Sequence, residues 1–196
     1  MLRRTVEEAR RTQIYQITKE VLAEECLSLN IESVSLQEDF SKDTTEISCR
    51  FREGDGPVKE VSAEGYGVLD ALFTGMLGHY SEKFPSLKNI SFEAFNTRPD
   101  FSKRRASGAD AEIEVSIQFT NSSNTVMTFR NKGNSFVKAS VEGVFNALEF
   151  YINCERSFKK LKFLIEEARS RGRSDVAQKY VSKISAIVRI TSYEEV

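Results

Sequence analysis

A single histidine, His79, and three widely spaced cysteines, Cys26, Cys49 and Cys154, make up the soft-ligand and nucleophile stock of this chain. Structural zinc needs about four Cys or His ligands at tight spacing, and no C-x-x-C pair occurs, so no metal site is expected. One histidine that follows Gly78 near a helix end cannot supply a Ser–His–Asp or Cys–His set, and a cation suited to the helix dipole is the expected role of His79. Gly65-Tyr66-Gly67 opens like a dinucleotide fingerprint but lacks the remaining glycine and a parallel βαβ setting. Arg104-Arg105-Ala106-Ser107 has the letters of a basophilic kinase site within a solvated loop, and Asn121-Ser122-Ser123 those of a glycosylation sequon. The chain therefore reads as no enzyme, with no cofactor. What remains is the chemistry of glycine turns that open helices, whose first N–H groups lack partners and favour a carboxylate. Such turns stand at Gly65 to Gly67 and Gly133 to Ser135.

The elements that position these turns follow from periodicity. Val6, Ile14, Ile17 and Val21 recur at helical spacing within a helix expected over Thr5 to Leu29. From Ile31 the period becomes two: Val34 and Leu36, then Ile47, Cys49 and Phe51, then Val61 and Ala63, with Gly54-Asp55-Gly56-Pro57 as a hairpin turn. A helix follows whose stripe is Leu69, Leu72, Phe73, Met76, Leu77 and Tyr80, ending near Pro85. The order then repeats. A strand carries Ile90, Phe92 and Ala94, a loop spans Asn96 to Asp110 with the basic run Lys103-Arg104-Arg105, and strands are expected over Glu112 to Thr120 and Thr125 to Arg130. A second helix carries Val137, Val141, Val144, Phe145, Leu148 and Tyr151. Further helices are expected beyond Cys154 to Gly172 and from Ser174 on, the latter with Tyr180, Val181, Ile184, Ile187 and Val188.

This predicts an α+β fold of two βββα units related by pseudo-twofold symmetry, offset by roughly 60–66 residues. One-sided alternation gives each sheet one apolar face for its helix to cover. The divisions expected are an N-terminal helix over 1–29, units over about 30–85 and 86–153, and a C-terminal helical extension over 154–196. Apolar faces on the terminal helices are expected to form a homodimer.

Composition bounds the partners. Lys and Arg number 28 against 29 Asp and Glu, and the net charge of -1 argues against a nucleic-acid binder. No apolar run reaches the roughly 20 residues of a membrane span, and the charged N-terminal segment is no secretory signal. Odd, unpaired cysteines fit a reducing cytoplasm.

Residues 63–73 read Ala63-Glu64-Gly65-Tyr66-Gly67-Val68-Leu69-Asp70-Ala71-Leu72-Phe73. This resembles the signature of the C-terminal regulatory (dimerisation) domain of the α-isopropylmalate synthase and citramalate synthase family, Gly-(Asn/Asp)-Gly-Pro-Val-Asp-Ala-(Leu/Ala)-(Phe/Tyr). Gly65, Gly67, Asp70, Ala71, Leu72 and Phe73 match, while Tyr66, Val68 and Leu69 depart. Residues 131–140 read Asn131-Lys132-Gly133-Asn134-Ser135-Phe136-Val137-Lys138-Ala139-Ser140. The family has Gly-x-Ser here, then an acid or amide, aliphatics and Ala-Ser; Val137, Ala139 and Ser140 match, with Asn131 at the Gly, Gly133 at the Ser and Ser135 at the acid. The resemblance covers about Ile31 to Asn153.

It implies an allosteric domain in leucine biosynthesis that binds the pathway end product, leucine or isoleucine, between its halves and inhibits a synthase catalytic subunit. The family's catalytic barrel has no counterpart in these residues. The effector-binding residues implied are Gly65, Tyr66, Gly67, Asp70 and Phe73 from the first motif, and Gly133, Asn134, Ser135, Ala139 and Ser140 from the second. Two other readings stand beside it: a dimerisation or partner-binding scaffold with no effector pocket, and a double-stranded-RNA-binding-like module, which would need a basic cluster at a helix start.

Overall fold

A computed structural model describes residues 2–100 and 112–191. The basic run Lys103-Arg104-Arg105 and Ser107 lie outside the described residues. Helix α1 (Leu2–Leu22) leads into strands β1 (Leu29–Asp39), β2 (Thr44–Glu53) and β3 (Val58–Gly65), then helix α2 (Val68–Tyr80). Strands β4 (Ile90–Asp100), β5 (Glu112–Asn121) and β6 (Val126–Gly133) follow, with helices α3 (Phe136–Ser170) and α4 (Ser174–Thr191). Each set of strands forms an antiparallel meander, in the orders β1-β2-β3 and β4-β5-β6. The α+β architecture of two three-stranded sheets, each followed by its helix, is the one the periodicity predicts.

The duplication holds residue by residue. Leu29 pairs with Glu53 and Ile90 with Asn121, so the first strands lie 61 residues apart and the second strands 68 apart. Both first strands break register at the same place, between Ile31 and Ser33 and between Phe92 and Ala94. A bulge re-aims the side chains that follow it. The offset changes because residues 40–43 join the first pair of strands and residues 101–111 the second. A single period of 60–66 averages over two offsets.

Central-strand alternation makes the core. Ile47, Cys49 and Phe51 in β2, and Val115, Ile117 and Phe119 in β5, are buried, as their pleat requires of one face. The two helices then exchange contacts. Phe73 of α2 packs on Phe119 of the second sheet at 4.9 Å between ring centroids, and Phe145 of α3 meets Phe51 of the first sheet at 5.4 Å. One apolar cluster thus runs through both units.

Three boundaries differ from expectation. Helix α1 ends at Leu22 rather than Leu29: a 3-10 turn over Ala23–Glu25 follows, with Ala23 at φ 50°, and residue 29 already pairs in β1. Strand β4 runs through Pro99 to Asp100, inside the expected loop, because it is an edge strand that tolerates a proline. The helix expected to restart beyond Cys154 never stopped. Helix α3 is continuous for 35 residues across the 153/154 division, with no Gly or Pro between Val144 and Ser170 to break it. At that point Glu155, 1% exposed, accepts bonds from the Ser86 amide (3.0 Å) and hydroxyl (2.7 Å) and pairs with Lys159. This ties the turn Pro85–Asn89 to the helix.

The terminal helices spend their apolar faces within the chain. Ile14 and Leu22 of α1 and Ala177 and Ile187 of α4 are buried, and Lys183 of α4 bridges Glu20 of α1 at 2.6 Å. Much of the apolar surface expected to make a dimer therefore covers the molecule's own core, while Val6 and Tyr15 of α1 stay exposed. Among the described residues no helix is long and apolar enough to cross a membrane.

Candidate functional site

The two motif turns occupy equivalent junctions. Gly65 faces Thr45 and Gly133 faces Ile113 at the end of the third strand of each unit, 68 residues apart. Their environments differ. A Cβ on Gly65 would fall 2.6 Å from the Ala71 nitrogen and from Asp70 Oδ2, so this glycine is required by close approach of strand and helix. A Cβ on Gly133 would meet nothing nearer than 3.8 Å.

The helix starts differ as well. Gly67 caps α2 at φ 131° with no side-chain bond to the helix, and the first intrahelical bond runs from the Ala71 N–H to the Gly67 carbonyl at 2.9 Å. Asp70 instead turns back to accept from the Tyr66 N–H at 2.9 Å. The Tyr66 ring, 86% exposed, points away from the turn rather than filling it. In α3 Ser135 is the cap and its hydroxyl accepts from the Lys138 N–H at 3.4 Å, with Asn134 exposed beside it. Ala71 and Ala139, at equivalent places, are fully buried. Ser140 is also fully buried, and its Oγ has no hydrogen-bond partner among the described residues. Leu72 holds the equivalent position in α2.

The structure thus gathers Gly65, Tyr66, Gly67 and Asp70 into one turn and Gly133, Asn134 and Ser135 into another. Phe73 is not with the first turn's polar groups but in the contact between the two units, against Phe119. No contact described here joins the two turns to each other.

Neither the scan of protein-family models nor the search of curated proteins finds a match to this chain.

His79 takes the helix-end position expected of it, in the last turn of α2. It lies at the end of α2 with its ring edge-on to Phe51 (5.8 Å) and Tyr80 (4.7 Å). Burial against these rings, then the neighbouring Lys59 and Lys83, push its pKa below 6.5 despite the opposing Glu53. The side chain stays exposed, and the shift works against the cation expected at the dipole end. Among the described residues no three His, Cys, Asp or Glu side chains gather as a cation site.

A cleft of about 480 Å³ lies elsewhere, between α1, α3 and β6. None of the residues chosen from the two motifs lines it. Polar clamps hold α1 and its connector over this cleft. Asn153 accepts from the Leu27 N–H at 2.7 Å and donates to the Leu27 carbonyl at 3.0 Å, and Glu149 accepts from the Leu29 N–H. Arg130 pairs with Glu8 at 2.8 Å, and Arg11 donates to the Thr128 carbonyl while lying over the Phe129 ring at 5.4 Å. Burial, reinforced by Arg130, lowers the Arg11 pKa, and burial raises that of Glu149. Sequence reasoning missed these residues because they converge from four separate segments. The local signal was the polar set Asn146, Glu149 and Asn153 at helical spacing on α3.

Proposed function

We propose that this chain is a non-catalytic regulatory module on the duplicated βββα plan of the α-isopropylmalate synthase regulatory domain. It binds a small aliphatic amino acid, leucine or isoleucine, at the motif turns, self-associates as a homodimer and acts on a separate synthase subunit in the cytoplasm. The observation that carries this reading is the matched pair of glycine junctions, Gly65 and Gly133, 68 residues apart at equivalent register. At the first of them the helix start has no capping side chain and the tyrosine that departs from the family pattern swings clear. First-turn amides beside Val68 and Leu69 then offer donors for a carboxylate next to apolar surface.

A second reading, a scaffold without an effector, draws on Asp70. Its carboxylate already occupies the positive end of α2, and an incoming carboxylate would meet like charge. A thermal-shift screen over the twenty amino acids separates the two readings. A ligand at 100 times its Kd adds about 2.7 kcal/mol of stability, and a rise with branched aliphatic amino acids that Gly133→Val removes supports the sensor. No rise with any amino acid leaves the scaffold.

A further inference from the structure

The cleft under α1 has the size of a small-molecule site, which spans about 300–1,000 Å³. Its charge departs from that of the chain. Arg11, Lys19 and Arg130 line it against the single carboxylate of Glu149, whereas the whole chain carries a net charge of -1. Glu7 and Glu8, the carboxylates nearest the arginines, do not line it: Glu7 accepts from the Thr128 N–H and Glu8 holds Arg130. The floor is apolar, since Phe129 and Phe150 are buried and Leu27 closes the connector side.

We propose that the cleft between α1, α3 and β6 binds a small carboxylate with an apolar body, the carboxylate on Arg11 and Lys19 and the body on Phe129, Phe150 and Leu27. A guanidinium presents five donors in a planar fork, of which Arg11 Nη1 is committed to the Thr128 carbonyl. The fork matches a carboxylate, and the partly buried setting strengthens the pairing. Glu149, at the α3 side, would receive an ammonium if the carboxylate belongs to an amino acid. The apolar floor argues against inorganic phosphate, which has no body to bury.

Cys26 lines the cleft and is half-buried, whereas Cys49 and Cys154 are fully buried. Burial raises the thiol pKa of Cys26 as it does those of Cys49 and Cys154, so access to the reagent is what separates them. Alkylation of the native chain therefore reports on Cys26. The test titrates 3-phenylpropanoate, phenylalanine and phenethylamine into the full chain by calorimetry and follows alkylation of Cys26 in parallel. Both carboxylates are expected to bind and slow alkylation, and the amine to do neither. Tighter binding of phenylalanine supports the site with Glu149 on the ammonium; tighter binding of 3-phenylpropanoate supports it with the carboxylate alone. Arg11→Lys keeps charge but loses the fork, and is expected to weaken binding about 10- to 100-fold. Lys19→Met, at an exposed position on α1, weakens it without disturbing the bond to Thr128.

Four results overturn the proposal. One is no protection of Cys26 by either carboxylate up to about 10 mM, a concentration that would reveal even weak millimolar binding. Another is equal protection by phenethylamine, and the third is binding indifferent to both variants. Binding lost in Gly133→Val but kept in Arg11→Lys also overturns it, while leaving the proposed function standing.

Discussion

Gly65 and Gly133 are equivalent by position and opposite in consequence, and paired alanine substitutions expose the difference. At Gly65 a new methyl would sit 2.6 Å from the Ala71 nitrogen and 2.8 Å from its Cα, atoms of helix backbone that cannot rotate away. Overpacking of this kind costs about 1–3 kcal/mol. Displacing Asp70 from the Tyr66 N–H removes a further hydrogen bond worth about 0.5–1.5 kcal/mol. The reduced entropy of the unfolded chain offsets only about 0.4–1 kcal/mol. Gly65→Ala should therefore destabilise by about 1–3 kcal/mol. For a chain of this size that lowers Tm by roughly 2–12 °C. At Gly133 the nearest atoms are 3.8 Å away and φ is ordinary, so only the entropic gain applies. Gly133→Ala should be neutral or stabilising by up to about 1 kcal/mol. Urea midpoints with unchanged m-values, with Tm alongside, measure both. Equal shifts for the two variants, or a neutral Gly65→Ala, would refute the close-approach argument.

Other perturbations have equally definite outcomes. Glu155→Ala strands the Ser86 amide and hydroxyl in a buried site, and a loss of about 2–4 kcal/mol is expected from urea unfolding. An effect below about 0.5 kcal/mol would mean the clamp contributes nothing. The folded-state pKa of His79 lies below its ordinary 6.5, so the unfolded chain binds more protons there and stability falls as pH drops through about 6.5. Wild type should lose stability relative to His79→Gln between about pH 7.5 and 5.5, and parallel profiles would contradict the assignment. Light scattering at micromolar concentration should return a dimer mass. The contact is expected to use apolar side chains left exposed, such as Phe95 and Phe163, and Phe163→Glu or Phe95→Glu should weaken it. A monomer mass for the unaltered chain removes self-association from the account.

The fold was legible because period and punctuation agree. Ile47, Cys49 and Phe51, and Ile113 to Phe119, alternate cleanly, and Gly and Pro stand at the turns, so each local preference points to the same sheet. What was not legible is tertiary. The exchange of Phe73 and Phe145 across the units is a property of two packed layers, not of either stripe alone. The apolar faces of α1 and α4 carry no mark that says whether they meet this chain or another copy, and packing alone decides that they meet α3. The continuity of α3 past Cys154 was hidden because buried Glu155 reads as a surface residue until Ser86 is placed beside it. Within the candidate site, Gly65 and Gly133 could be chosen from the sequence, but not which of them is sterically required. The cleft under α1 could not be chosen at all.

Calorimetric titration of leucine and isoleucine into the full chain tests the central claim most directly, with Gly133→Val, Tyr66→Asn and Arg11→Lys run beside the wild type. The account predicts that the wild type binds with a component weakened by Gly133→Val, retained by Tyr66→Asn because that ring already points outward, and left in place by Arg11→Lys, which acts only on the cleft under α1. No heat from the wild type with either amino acid, or binding that responds to Arg11→Lys and not to Gly133→Val, would contradict it.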